Sequence, residues 1–190
     1  MFMKLNIIIG STRPGRVGPT IAKWVDAFAR EHGKFEVELV DLEAFGLPLL
    51  DEPKHPRMQE YTHEHTKKWS ASVASADAFI FVTPEYDYFP PASLINALQA
   101  LSKEWAYKPA GIVSYGGISG GLRASQELRS LIGTQNAHAL PQVVPVPFFP
   151  KFIDENGAFT ANDEMKAGAT GLLDELYKWA GPLASMRAEG

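Results

Sequence analysis

Two apolar runs without a polar interruption, Ile7-Ile8-Ile9 and Phe79-Ile80-Phe81-Val82, constrain this chain more than any other feature. A strand with one wet face alternates apolar and polar residues, so an unbroken run needs cover on both faces, which is the habit of parallel sheets. Five strands are implied: Leu5 to Ile9, Phe35 to Val40, Ala78 to Val82, Ala110 to Tyr115, and a weaker run ending at Val143-Val144. Between them the apolar spacing becomes helical. Ile21, Trp24, Val25 and Phe28 share one face, as do Leu94, Leu98, Leu101 and Trp105, and Leu172, Leu173, Leu176 and Ala180. A helix through Tyr61, His65, Trp69 and Val73 and another through Leu122, Leu128 and Leu131 complete the alternation. Gly33 stands where a C-cap glycine is expected, and Pro91 opens the third helix, where a missing N–H costs nothing. The pattern predicts an α/β fold: a doubly wound, five-stranded parallel sheet with helices on both faces.

At 190 residues and 45% apolar, the chain is expected to form a single domain spanning 1–190, with roughly 70% of its unfolded surface buriable. It has no cysteine, so thiolate catalysis, disulfides and cysteine-ligated metals are excluded, and any redox chemistry must come from a bound cofactor or metal. Twenty-two acids against 18 bases leave a net charge of −4 with no basic block, which argues against nucleic acid as a partner. The N-terminus, Met1-Phe2-Met3-Lys4-Leu5, enters a strand at once and lacks a signal core. No apolar run approaches the roughly 20 residues that span a bilayer. A cytoplasmic protein with no membrane partner is expected.

In an open parallel sheet, ligands sit beyond the C-terminal strand ends. Three such ends carry unusual turns. The first, Gly10 to Gly18, puts Ser11, Thr12, Arg13 and Arg16 just ahead of a helix. Backbone N–H groups at a helix N-terminus favour an anion, and hydroxyls and guanidinium groups add donors, so the segment reads as a phosphate site, or else as a plain glycine-proline turn. The turn matches neither GxGxxG nor GxxxxGK[ST]. Asp41, ending the second strand, either mimics a ribose-binding acid or caps its loop. The second turn, Thr83-Pro84-Glu85-Tyr86-Asp87-Tyr88-Phe89-Pro90-Pro91, combines rigid prolines with aromatic rings, which suits a flat ligand. The third, Ser114-Tyr115-Gly116-Gly117-Ile118-Ser119-Gly120-Gly121, keeps side chains away so that a ligand can lie on the backbone.

Gly117-Ile118-Ser119-Gly120-Gly121 also fits the GxSxG elbow of serine hydrolases. The partners are missing: His138 is the only later histidine, and Glu127 is the only acid before it. His63 and His65, two apart on the second helix, are expected to point to different faces and to be solvated rather than to share a metal; no metal site is expected. The stretch Pro145 to Thr160 carries four phenylalanines and an Asn156-Gly157 turn. It reads either as a lid on the core or as a contact with another subunit.

With these turns together, the chain resembles the NADPH-dependent FMN reductase family, flavodoxin-like proteins that include quinone, azo-dye and chromate reductases. The resemblance runs through Gly10-Ser11-Thr12-Arg13, Thr83-Pro84-Glu85-Tyr86 with Pro90 and Leu94-Ile95-Asn96-Ala97-Leu98, and Ser114-Tyr115-Gly116-Gly117 with Gly120-Gly121-Leu122-Arg123-Ala124. It implies strand order 2-1-3-4-5. It also implies that Ser11, Arg13, Arg16, Val17 and Gly18 hold the phosphate and ribityl chain of FMN. Pro84, Glu85, Tyr86 and Asp87 would line one edge of the isoalloxazine, and Ser114, Tyr115, Gly116 and Gly117 another, mostly through backbone groups. Asparagine is usual in the family where Asp87 stands, and lysine is frequent at Ile95; a carboxylate at 87 would repel an anionic reduced flavin. The implied reaction is ping-pong: NADPH or NADH passes hydride to FMN N5 and leaves, and a small-molecule acceptor follows, with no side chain as acid or base. A homodimer or homotetramer with Tyr88, Phe89 and Pro145 to Thr160 at the boundary is also implied. The competing reading is a flavodoxin-like electron carrier without NAD(P)H activity of its own.

Overall fold

The computed structural model describes residues 3–188; Met1 and Phe2, which the sequence leads into the first strand, lie outside them. Five parallel strands, β1 (Met3–Ile9), β2 (Phe35–Asp41), β3 (Ala78–Pro84), β4 (Pro109–Gly116) and β5 (His138–Pro147), form one sheet in the order 2-1-3-4-5. Five α-helices, α1 (Gly18–His32), α2 (Glu64–Ala74), α3 (Ala92–Gln99), α4 (Leu122–Thr134) and α5 (Asp163–Ala188), connect and follow them. The expected topology is the one found.

The unbroken apolar runs are buried on both faces, as their composition requires. Ile7 and Ile9 pack with Ile21 and Val25 of α1 and Leu172, Leu173 and Leu176 of α5. Ile8, between them, faces the opposite layer with Trp69 of α2, Leu94 and Leu98 of α3 and Leu128 of α4. Each face of the sheet thus has its own apolar core, with consecutive residues of β1 serving the two in turn. Gly33 ends α1 with φ 78° and its N–H on Ala29 O, as a C-cap glycine should.

Two helix boundaries differ from the periodic reading, and each is moved by a hydrogen-bonded carboxylate, Glu104 or Glu52. Leu101 and Trp105 are buried, but α3 stops at Gln99 and Trp105 lies in a separate 3-10 turn, Lys103–Trp105. Glu104 causes the break: its carboxylate accepts from Ser102 N, Tyr61 Oη and Ser70 Oγ, folding the segment back towards α2. Tyr61 lies ahead of α2, because Glu52 accepts from the N–H groups of Thr62 and His63 and sets the start of the helix at Glu64. Those donors hold the Glu52 carboxyl down to about 2 against the cost of its burial.

His63 is therefore not helical. Its backbone is extended (φ −89°, ψ 139°), which lets its ring stack on His65 with centroids 5.2 Å apart instead of pointing to another face. Both imidazoles turn their Nε2 towards Asp51, at 3.8 and 3.1 Å. Among the described residues no group of His, Asp or Glu side chains is arranged to hold a metal ion. The Phe-rich stretch divides: Phe149, Phe152 and Phe159 pack on the α1/α5 core, whereas Phe148 is 45% exposed. Asn156-Gly157 forms the expected turn, with Gly157 N on Asp154 O. No described helix is long and apolar enough to cross a membrane.

Lys108, buried before β4, closes the C-terminal end of α2 by donating to Val73 O and Ala74 O at 2.8 and 3.1 Å. Burial, reinforced by Arg187, lowers its pKa to about 8. An unfolded lysine keeps its proton to about pH 10.4, so the unfolded state binds more protons than the folded one in the interval between. Stability should therefore rise with pH from 8 to 9.5, by up to about 1.4 kcal/mol per unit from this group. Lys108→Met should flatten that slope in urea titrations, and an equal slope in parent and variant would contradict the assignment.

Candidate active-site crevice

Strand order brings the three turns together. Because β1 lies between β2 and β3, and β4 follows β3, the turns after β1, β3 and β4 sit side by side where the strand order reverses. Contacts join them at each step. Gly10 N donates to Val82 O, and Ser93 Oγ at the start of α3 donates to Gly10 O at 3.0 Å. The Arg13 guanidinium lies 5.9 Å from the Tyr86 ring centroid. Ser11 Oγ meets Tyr115 Oη at 3.4 Å.

The first turn is built to receive an anion. Helix α1 starts with no side-chain cap, no acid in its first turn, and Pro19 at the position that needs no N–H. Val17 occupies the N-cap and Gly18 the first helical position. Gly18 has no room for a side chain: a Cβ there would lie 2.5 Å from Ser11 Oγ and 3.1 Å from Tyr115 Oη. Ser11 is fully buried, Arg13 is exposed, and the uncapped N–H groups of the helix start, at Val17 and Gly18, follow both in sequence. This donor set, a hydroxyl, a guanidinium and a positive helix end, fits a phosphate monoester.

Arg16 is placed differently from the free cation that the sequence suggests. It donates to both Asp41 oxygens at 2.7 Å, to Ser11 O at 2.6 Å and also to Glu43, and its side chain is 11% exposed. It closes the turn rather than presenting a bare charge. Asp41 serves this clamp and also caps the 3-10 turn Leu42–Phe45 through Glu43 N. Of its two sequence readings, the structure shows loop capping. Tyr115 packs its ring edge-on against Phe149 and brings its hydroxyl to Ser11 of the first turn. Burial pushes its phenol up to about 12, so it stays a neutral hydroxyl beside Ser11.

The second turn is a tight reversal. Tyr86 and Phe89 exchange both backbone hydrogen bonds at 2.9 Å. Asp87 and Tyr88 between them have φ of 48° and 77°, the positive values of a type I′ turn. Asp and Asn are among the few non-glycine residues that tolerate this backbone. Pro84 is buried at the end of β3, while Tyr86, Tyr88 and Phe89 present 36, 59 and 53% of their surface to solvent.

The third turn is held by its own polar atoms. Ser114 Oγ donates to Gly120 O at 2.8 Å, and Gly117 O accepts from Gly120 N and from Phe148 N. Gly121 (φ 83°) admits no side chain, since a Cβ would come within 2.8 Å of Tyr115 N. Gly117 faces open space, and Gly116 sits beside Glu85. Ser119 is not poised as a nucleophile: its hydroxyl donates to Glu85 at 2.9 Å and accepts from Gly121 N. The Glu85 side chain turns towards α4, where it pairs with Arg123 at 2.7 Å. Of the structural members of the crevice, Ser93 is not named by the sequence reading, and Ser119, Arg123 and Phe148 stand there only within wider motifs, with no part in holding the turns. The one available signal is glycine at the N-cap of α4, Gly121, which cannot cap the helix itself.

Comparison with known proteins identifies the family and the fold. The family described as NADPH-dependent FMN reductase matches residues 3–151. An NAD(P)H-dependent FMN reductase of Schizosaccharomyces pombe is 49% identical over 125 residues, 65% of this chain and 62% of that relative's length. Another, from Nectria sp., is 38% identical over 152 residues, covering 76% of this chain and 75% of the relative. Among solved structures, the flavoenzyme NAD(P)H:acceptor oxidoreductase FerB of Paracoccus denitrificans superposes with a TM-score of 0.73. That match covers 95% of this chain and 98% of FerB at 18% identity, and it speaks to the fold alone.

The Arg16 clamp gives a testable property. Hydrogen bonding to Arg16 lowers the Asp41 pKa, so its contribution is present above the unfolded value of about 3.9 and is lost only as pH falls through the lower folded value. Hydrogen exchange at Arg13 to Val17, corrected for intrinsic rates, should be equal at pH 7 and pH 5. Asp41→Asn should speed it several-fold at pH 7. Unchanged protection in the variant would show that the clamp does not hold the turn.

Proposed function

The chain belongs to the NADPH-dependent FMN reductase family, an oxidoreductase family that works with FMN and NAD(P)H, and we propose that it runs a ping-pong cycle from NADPH or NADH to a small acceptor. The acceptor classes that fit are a quinone, an azo compound, a metal oxyanion or free flavin. Bound FMN supplies the redox chemistry, taking a hydride from the nicotinamide and giving up electrons to the acceptor.

The protein's share is binding and orientation. Ser11, Arg13 and the N–H groups of Val17 and Gly18 receive the phosphate, with Arg16 keeping their turn closed. Pro84, Glu85, Tyr86 and Asp87 flank the ring on one side, and Ser114 to Gly117 flank it on the other through their backbone. No side chain is required as acid or base. The observation that carries this reading is the single crevice formed by the three turns, with an uncapped helix N-terminus at one end and a glycine wall at the other. Two rings held near contact need little else from their surroundings.

The purified protein should take up FMN stoichiometrically, and NADH or NADPH under nitrogen should bleach its yellow colour promptly. FMN uptake without bleaching would identify an electron carrier instead. Arg13→Ala should weaken FMN binding by about 1.5–3 kcal/mol, the scale of a hydrogen bond to a charged group; equal affinity in parent and variant would remove Arg13 from the site.

We also assign to the cytoplasm a protein that depends on NAD(P)H and has no cysteine to oxidise. Its assembly is a homodimer or homotetramer. Exposed Tyr88 and Phe89 support this, as does a groove of about 320 Å³ between α3 and α4, lined by Phe89, Pro90, Ile95 and Leu131 among others. Sedimentation at micromolar concentration should give a species larger than 20.9 kDa, and a monomer throughout would defeat this part.

A further inference from the structure

The carboxylate of Glu85 joins the two sides of the ring-flanking cleft. Its own residue lies in the second turn, and its backbone N–H donates to Tyr115 O at the end of β4. Its Oε2 accepts from Ser119 Oγ at 2.9 Å, from Arg123 N at 3.1 Å and from Ala124 N at 3.4 Å. Ser119 in turn accepts from Gly121 N. Helix α4 has glycine at its N-cap and no side-chain cap of its own, so a residue 38 positions earlier in the chain performs that duty. The other oxygen, Oε1, pairs with the Arg123 guanidinium, which lies 3.9 Å from the centroid of the Tyr88 ring. One carboxylate, 7% exposed, thereby ties the tight reversal Tyr86–Phe89 to the glycine-rich turn 116–121.

The pairing has an electrostatic side. Arg123 is 42% exposed at the mouth of the same cleft, and Glu85 offsets its charge. A buried carboxylate at a helix N-terminus with three N–H or O–H donors and a guanidinium is well compensated, so the pair presents little net charge to a neighbouring ring. Removing either member unmasks the other.

We propose that Glu85 is a positioning residue of the flavin site, which sets the separation of the two ring-flanking turns and, by pairing with Arg123, withholds a positive charge from the ring. This rests on the FMN reading above. A cationic neighbour favours a reduced, anionic flavin over the neutral oxidised form, and an anionic neighbour does the reverse. The two halves of the pair should therefore move the redox equilibrium in opposite directions.

The test compares parent, Glu85→Gln, Arg123→Gln and the double variant, each loaded with FMN, by spectroelectrochemical titration. Glu85→Gln should tighten binding of reduced relative to oxidised FMN about tenfold, a rise of roughly 30 mV for a two-electron couple. Arg123→Gln should lower the potential, and the double variant should return towards the parent. Equal potentials in all four proteins would overturn the electrostatic half. A purely structural role would shift stability in every variant without this reversal of sign. Hydrogen exchange on the cofactor-free proteins tests the positioning half: residues 86–89 and 116–124 should lose protection together in Glu85→Gln, and unchanged protection would overturn it. Should the parent take up no FMN, the family-based reading of the cofactor fails, whereas the exchange result still decides whether Glu85 joins the two turns.

Discussion

The desolvation of the central strands governs the rest of the molecule. Ile7-Ile8-Ile9 and Phe79-Ile80-Phe81-Val82 cannot expose either face without leaving large apolar surface in water, so helices must cover the sheet on both sides. A chain that covers both sides with right-handed crossovers must change winding direction once, and here it does so between β1 and β3. The gap above that change of direction is the crevice, which makes the binding site a by-product of how the core is buried.

Within the crevice, most polar side chains are already committed to one another. Arg16 is held by Asp41 and Glu43, Ser114 by Gly120, Ser119 by Glu85 and Ser93 by Gly10. What remains for a ligand is backbone N–H groups, the Ser11 hydroxyl, the exposed Arg13 and open glycine surface. Such an arrangement has settled its conformational entropy during folding, and binding need order little more. It also explains why several residues that the family resemblance assigns to the cofactor lie one bond behind the surface and act by holding a turn in shape.

The strands and the three turns could be read from the chain because each rests on local pattern: unbroken apolar runs, proline and glycine punctuation, and the change from one period to another; the strand order followed from the family resemblance. The departures share a cause. Helix α3 ends where Glu104 reaches Tyr61 and Ser70, 43 and 34 residues away, and α2 begins where Glu52 caps it across a loop. The stacking of His63 on His65 follows from that displaced helix start. The Arg16 clamp and the Glu85 cap join residues 25 to 39 positions apart. Acidic side chains chose partners that only the finished topology brings near, and no periodicity encodes that choice.

The reversal at Asp87-Tyr88 carries its strain in backbone dihedrals, not in side-chain contacts. A carboxamide and a carboxylate are nearly the same size and adopt this conformation about equally well. The position is therefore free to gain or lose a unit of charge while the path of the chain stays the same. β-Branched residues are barred from it on steric grounds alone. Shape and charge are thus uncoupled at this corner, and lineages could vary one while inheriting the other.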